Sequence, residues 1–316
     1  MVTSGVVTSP VPTIDPALGL ELVNARTLET RGGRVAIIIP AHNEASTVGD
    51  VVGNAFKALR ALNADGEVIV AASGCTDGTA DVAAGAGAQV IEAPVGKGAA
   101  VTAGIRACQA DLICLTDADV RYFGDVPLAA ILVAPIMRGL ADATIADLPW
   151  RPVYPHMWLY GFFAPLAGRL FPELLPQAGT TPWSGQRAAV RALWPDDLPD
   201  GFSVDLALLL HWHAQGARIR PVLADDWINP QRPKTGVLEH EFGLLVDYAV
   251  KCGRLTSGAR PALERWFYDV YRLMAAYRPE TDDPEKFERG LLEDTRRLLA
   301  TCSPRRRGTP RTVAAS

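Results

Sequence analysis

Apolar positions in the first half of the chain fall into short unbroken runs, separated by stretches with helical spacing. Residues 35–39 are apolar throughout and largely β-branched, which predicts a strand buried on both faces. Runs at 67–72, 89–92 and 112–115 predict three more strands. After the first strand, Val48, Val51, Val52, Ala55 and Leu59 share one side of a helix reaching Leu62. Ser46 or Thr47 is placed to cap that helix, and Pro40 to stop the strand before it. Turn formers at 73–79 lead into a second helix, and 99–108 reads as a third. Strand and helix thus alternate through residue 120, which predicts an α/β fold: a parallel sheet flanked by helices with right-handed crossovers.

The second half is less regular. Residues 129–140 predict a helix, 142–148 a strand, 206–213 an apolar helix and 219–223 a strand. Residues 180–187 read as a loop into a helix, and 225–234 as a polar loop. The aromatic segment 154–171 is expected to be a core helix or the lining of an apolar cleft. Helices at 237–251, 258–277 and 284–300 give a helical C-terminal portion, followed by a basic flexible tail at 301–316. Residues 1–32 form a Pro-containing N-terminal extension, with a short docking helix expected over 18–28.

Composition narrows the function classes. The chain has 316 residues, 48% of them hydrophobic, enough for a substantial core. Its net charge of -4 offers no basic field for nucleic acid. No apolar run approaches the ~18 residues of a membrane span, so stable membrane insertion is not expected. The five cysteines, at 75, 108, 114, 252 and 302, form no C-x-x-C pair. That usage fits a reducing cytoplasm, with Cys108 and Cys114 as core hydrophobes.

In parallel sheets, ligands bind beyond the carboxyl ends of the strands. The polar candidates lie there: Ala41 to Glu44 after the first strand, Ser73 and Gly74 after the second, Lys97 after the third, and Asp117 and Asp119 after the fourth. Two neighbouring carboxylates repel unless a cation sits with them. A divalent ion carrying a nucleotide-sugar diphosphate would meet that need; the plainer reading is a turn after a strand. Lys97 lies between Gly96 and Gly98, small neighbours that let a ligand approach, with an ammonium suited to phosphate. Glu44 and Ser73 could hydrogen-bond a base and ribose, and His42 could stack on a base. This is not a Walker loop, because Ile91 stands where its first glycine belongs, and no G-x-G-x-x-G follows the first strand. Pro182 likewise replaces the first glycine of a serine-hydrolase elbow at Ser184-Gly185. His211 and His213 point to different helix faces, and neither His156 nor His240 has a partner visible in the sequence.

These residues resemble the GT-A nucleotide-sugar glycosyltransferases of the family 2 clan, and among them look most like glucosyl-3-phosphoglycerate synthases. The resemblance rests on residues 39–44, 73–79, 96–98 and 116–119, on Trp183-Ser184-Gly185, and on Arg232-Pro233. It implies a Rossmann-like, mostly parallel sheet. Residues 33–150 would bind the nucleotide sugar, and 151–300 would form an acceptor-binding and helical subdomain. Pro40, Ala41, His42, Glu44, Ser73, Gly74, Lys97, Asp117 and Ala118 would hold the donor. Asp119 would bind Mg²⁺ or Mn²⁺ with Asn229, which replaces a histidine of the family. Lys97, Asp119 and Asp205 would be catalytic, Asp205 near the donor sugar or acceptor. His156, Trp158, Trp183, Ser184, Gly185 and Arg232 would line the acceptor site. The family's phosphate-gripping segment aligns with His156-Met157-Trp158-Leu159, an apolar aromatic surface, and Ala72 replaces an acid.

The resulting expectation is a metal-dependent transfer of a sugar, from UDP sooner than GDP, to a small acceptor in specialised metabolism, with retention. If the enzyme inverts instead, Asp205 is the candidate base. A homodimer is left open. The alternatives are a polyprenyl-phosphate glycosyltransferase at a membrane surface, a glucosyl-3-phosphoglycerate synthase proper, a nucleotidyltransferase, and a non-catalytic nucleotide-sugar binder.

Overall fold

A computed structural model describes residues 33–122, 124–147, 157–223, 227–228 and 236–301. The β-branched run opens β1 (Val35–Ala41), followed by α1 (Val48–Leu62), β2 (Gly66–Ser73), α2 (Thr79–Gly85), β3 (Gln89–Ala93), α3 (Lys97–Ala107) and β4 (Leu112–Leu115). Then come β5 (Arg121–Tyr122), α4 (Leu128–Met137) and β6 (Ala143–Asp147). After a widened helical turn at Leu159–Phe163, α5 (Ala164–Leu170) leads to β7 (Arg187–Val190), α6 (Val204–Ala214), β8 (Ile219–Leu223) and β9 (Trp227–Ile228). Helices α7 (Val237–Lys251), α8 (Arg260–Ala275) and α9 (Pro284–Thr301) complete the described chain.

Seven strands form one sheet in the order β3-β2-β1-β4-β7-β6-β8. The first four are parallel; β7 runs antiparallel between β4 and β6, and β6 pairs parallel with β8. The expectation of a mostly parallel sheet flanked by helices therefore holds. Alternation along β1 divides the core between its two faces. Val35, Ile37 and Ile39 pack with α1 and α4, whereas Ala36 and Ile38 pack with α3 and the later helices. Strands β7 and β8 join this sheet from beyond residue 150, so the sheet itself crosses the expected subdomain boundary.

Several local expectations need correction. Pro40 does not end β1; it pairs in register with Ala71 of β2. Its missing N–H faces the β4 side, where the ladder has already ended at Ile38 opposite Leu115, so no bond is lost. Thr47 sits at the start of α1, but its hydroxyl caps no helical N–H; it leans toward the Glu44 carbonyl, 3.4 Å away. The segment 180–187 leads into β7 and not into a helix. The docking helix expected over 18–28, the aromatic Tyr154 and the basic tail lie outside the described residues.

The aromatic segment belongs to the core. Phe162, Phe163 and Phe171 are fully buried, each burial contributing about 1.5–3 kcal/mol. Phe162 meets Phe242 and Phe267 edge-on, while the latter two stack at 4.5 Å. Gly161 lets α8 and α9 approach: a methyl there would sit 2.8 Å from Met274 Sδ. Within the widened turn, the Tyr160 carbonyl accepts from Thr295 Oγ1 of α9 at 3.2 Å. Phe162, Phe163 and Phe171 thus face the interior, whereas Trp158 and Tyr160 are half-buried. Among the described residues, no helix is long and apolar enough to cross a membrane.

A polar cluster pins α6 to α7. His213 Nδ1 and the Tyr248 hydroxyl lie 2.6 Å apart, Tyr248 stacks on Phe171, and Glu173 and Arg254 flank the imidazole. Burial lowers the His213 pKa, Arg254 lowers it further, and Glu173 opposes the shift. The imidazole is therefore neutral in the fold. Its contribution is present above the unfolded value of about 6.5 and is lost as pH falls below it. The melting temperature is expected to drop between pH 7.5 and 5.5, with a shallower drop in His213→Asn. Identical slopes in scanning calorimetry would reject this assignment.

Candidate active site

The carboxyl ends of β1, β2, β3 and β4 lie along one edge of the sheet, as parallel topology requires. The loops after β1 and β2 are stitched together. His42 Nδ1–H donates to the Ser73 carbonyl at 2.5 Å, which fixes the tautomer and leaves Nε2 free of that bond. Asn43 adopts a left-handed φ of 57°, and its side-chain oxygen accepts from the Thr76 N–H at 2.7 Å. The Glu44 N–H donates to Thr79 Oγ1 at 2.8 Å and the Ala45 N–H to Asp77 Oδ2 at 3.1 Å. Bonds from the Thr79 hydroxyl first, and from backbone N–H groups, hold the Asp77 carboxyl below its usual range. The result is a stiff double loop presenting exposed His42 and half-buried Glu44.

Some predicted donor residues act from beneath. Ala41 and Ala118 pack their methyls into the core, so their only polar contribution is backbone. Ser73 is buried; its hydroxyl donates to the Pro94 carbonyl at 2.7 Å and accepts from the Gly96 N–H at 2.9 Å. It therefore braces the turn into α3. Gly74 has a φ of +60°, which glycine adopts without strain.

The glycines around Lys97 admit protein and not ligand. The Asp200 carbonyl accepts from the Gly98 and Ala99 N–H groups at 2.7 and 3.2 Å, satisfying the first donors of α3. A methyl at Gly98 would lie 1.7 Å from the Pro199 carbonyl oxygen. The start of α3 is thus closed by the Pro199-Asp200 segment. The Lys97 side chain reaches Asp205 Oδ2 at 2.8 Å and Asp117 Oδ1 at 3.0 Å. Burial alone would lower its pKa, but the two carboxylates outweigh burial and raise it. The cation that Asp117 was expected to need is this ammonium.

A second cation closes the network from below. Arg187 is fully buried at the start of β7, opposite Leu115, with its guanidinium over Trp212. It donates to the carbonyls of Ser184 and Asp205, and lies 3.6 Å from Asp205 Oδ1. Burial depresses its pKa, opposed by Asp205 and Asp117. Lys97, Arg187, Asp117 and Asp205 form an electroneutral quartet, which makes the burial of Arg187 and Asp205 tolerable. Ser184 and Gly185, expected at the acceptor, are buried within this network: Ser184 holds Arg187, and a methyl at Gly185 would sit 2.5 Å from Lys97 Nζ. Gln186 and Arg187 escaped notice in the sequence. The available signal was an arginine opening an apolar run, which demands a buried counter-charge.

Asp119 is half-buried in the turn after β4, where the chain reverses at Asp117–Val120. Trp158 and Trp183 are half-buried and meet edge-to-face at 5.7 Å. His156, Asn229 and Arg232 lie outside the described residues. Among the described residues, no three His, Cys, Asp or Glu side chains gather to hold a metal by themselves. A hard carboxylate at Asp119 still suits Mg²⁺ or Mn²⁺, ions that often take one or two protein oxygens and complete their shell from substrate phosphates.

Comparison with known proteins agrees with this architecture. Residues 36–153 match the glycosyl transferase family 2 model. Glucosyl-3-phosphoglycerate synthase of Mycobacterium tuberculosis is 30% identical over 201 residues, covering 57% of this chain and 60% of that protein. The Mycolicibacterium paratuberculosis synthase is 28% identical over 200 residues. The chain therefore spans about 60% of the length of the curated relatives it matches. A crystal structure of the M. tuberculosis synthase with Mn²⁺, UDP and glucosyl-3-phosphoglycerate superposes with a TM-score of 0.58 at 24% identity, covering 79% of this chain and 88% of that one. The same enzyme with phosphoglyceric acid gives 0.58 at 25% identity, over 72% and 82% of the respective chains. Residues 36–153 are thus similar to the glycosyl transferase family 2 model, on a fold shared with the solved glucosyl-3-phosphoglycerate synthase structures.

Proposed function

We propose that the protein transfers a sugar from a nucleotide diphosphate, UDP in preference to GDP, to a small acceptor, with a divalent cation. The observation that supports this most is the gathering of His42, Glu44, Lys97, Asp117 and Asp119 along one sheet edge, in a fold similar to that of an M. tuberculosis synthase solved in complex with Mn²⁺ and UDP-glucose. His42 and Glu44 would meet the base and ribose. Asp119, with Asn229, would hold Mg²⁺ or Mn²⁺ against the diphosphate. The cation would supply charge stabilisation for the departing nucleoside diphosphate.

Two features refine the reading. Asp205 is 4% exposed and its carboxylate is engaged by Lys97 and Arg187, so it is not placed to meet an acceptor hydroxyl. That favours retention, in which the acceptor oxygen bonds to the anomeric carbon on the face the diphosphate leaves. The bond from that carbon to the phosphate oxygen breaks, and the acceptor proton passes to the departing diphosphate. Asp205 then positions Lys97 and takes no proton. Among the described residues, Lys97 and Arg187 are neutralised internally, and half-buried Trp158 and Trp183 lie together, which supports a flat, weakly charged small molecule of specialised metabolism as the acceptor. Phosphoglycerate suits this surface less well.

The test combines a substrate panel with one variant. UDP- and GDP-sugars with Mn²⁺ are incubated with aromatic and heterocyclic acceptors, and the product linkage is read by NMR. An α-linked product from an α-donor is expected. Asp119→Asn should lose about 10²–10³-fold in kcat. A variant with parental turnover would remove Asp119 from the chemistry, and a β-linked product would reject retention.

A further inference from the structure

We propose that Gln186 is a positioning residue for the donor site, fixing Asp117 and, through it, the Lys97 ammonium. The assignment rests on the reading of this edge as the nucleotide-sugar site. Gln186 is fully buried, and both ends of its amide are spent on one residue. Its Oε1 accepts from the Asp117 N–H at 2.8 Å, and its Nε2 donates to Asp117 Oδ2 at 2.7 Å. A backbone N–H can only donate and a carboxylate can only accept, so the amide has one orientation. The first bond sets the main chain just after β4, and the second sets the carboxylate rotamer. Oδ1 is thereby turned to Lys97 Nζ, 3.0 Å away.

Gln186 is itself anchored. Its carbonyl accepts from the Ala146 N–H at 2.8 Å, and its N–H donates to Ser184 Oγ at 3.3 Å. Ladder pairing of Arg187 with Leu115 and Ile145 holds the next residue on both sides. Gln186 therefore carries the rigidity of the sheet centre into the turn after β4. A buried amide that merely filled space would not need both of its hydrogen-bonding ends on the same acid.

The test is a double-mutant cycle on the full chain, with Gln186→Met, Gln186→Glu, Asp117→Asn and the Gln186→Met/Asp117→Asn pair. Met matches glutamine in length and removes both bonds; Glu keeps the acceptor for the N–H but sets an oxygen against Asp117 Oδ2. UDP affinity with Mn²⁺ is measured by calorimetry, and KM for donor and acceptor and kcat by assay, with Tm recorded alongside. Gln186→Met is expected to weaken UDP binding and raise donor KM about tenfold, with acceptor KM unchanged. Gln186→Glu should do so more strongly. In the Asp117→Asn background the Gln186→Met effect should shrink to within twofold. If Tm falls while UDP affinity and donor KM stay parental, Gln186 is structural only. An undiminished effect without Asp117 also overturns the assignment. A parent chain that binds neither UDP nor GDP with Mn²⁺ refutes the donor reading and this assignment together.

Discussion

Lys97→Met is expected to destabilise the fold by about 3–5 kcal/mol and to remove nearly all transfer activity. The ammonium is mostly buried and serves two carboxylates at once. Met fills similar space but removes the ammonium that both carboxylates share, leaving Asp117, Asp205 and Arg187 with a net negative charge. An unpaired buried charge costs far more than the pair contributed. Urea denaturation at pH 7 measures this directly. Parental stability at pH 7 would mean the quartet carries no such electrostatic demand.

The second large effect is steric. Gly98→Ala adds one methyl, and helix propensity alone would favour it by about 1 kcal/mol. The added carbon would, however, sit 1.7 Å from the Pro199 carbonyl oxygen and 3.1 Å from the Asp200 carbonyl carbon. These are backbone atoms and cannot swing aside. The segment must lift, breaking the two bonds from Asp200 to the start of α3 and displacing Asp205 from Lys97. Overpacking plus two lost hydrogen bonds outweighs propensity, and a net loss of about 2–4 kcal/mol is expected. Activity should fall with stability. A variant more stable than the parent in thermal denaturation would show that this segment adapts freely.

Much of the sheet was legible because its strands announce themselves. The run at 112–115 matches β4, and 219–223 matches β8. The antiparallel β7 was missed for a physical reason: it is four residues long, opens on Arg187 and continues with two alanines, which fit helix as well as strand. At the site, the strand tips were predictable from topology alone. Their partners were not. Asp205 lies 108 positions from Lys97, and Gln186 lies 69 from Asp117. Nothing local in the chain encodes those pairings. The glycines beside Lys97 signalled a close approach, but spacing cannot say whether a phosphate or another stretch of backbone arrives.

The place of β7 in the sheet bears on where this protein can be cut. The family match ends at residue 153, yet the ladder neighbours of β6 are β7 and β8, both encoded later. A fragment ending at 153 would leave β4 as a bare margin and strand β6 with nothing to join. It would also carry Asp117 and Lys97 without Gln186, Arg187 or Asp205. Truncation there would yield a sticky, open-edged piece, so useful expression boundaries must include β8.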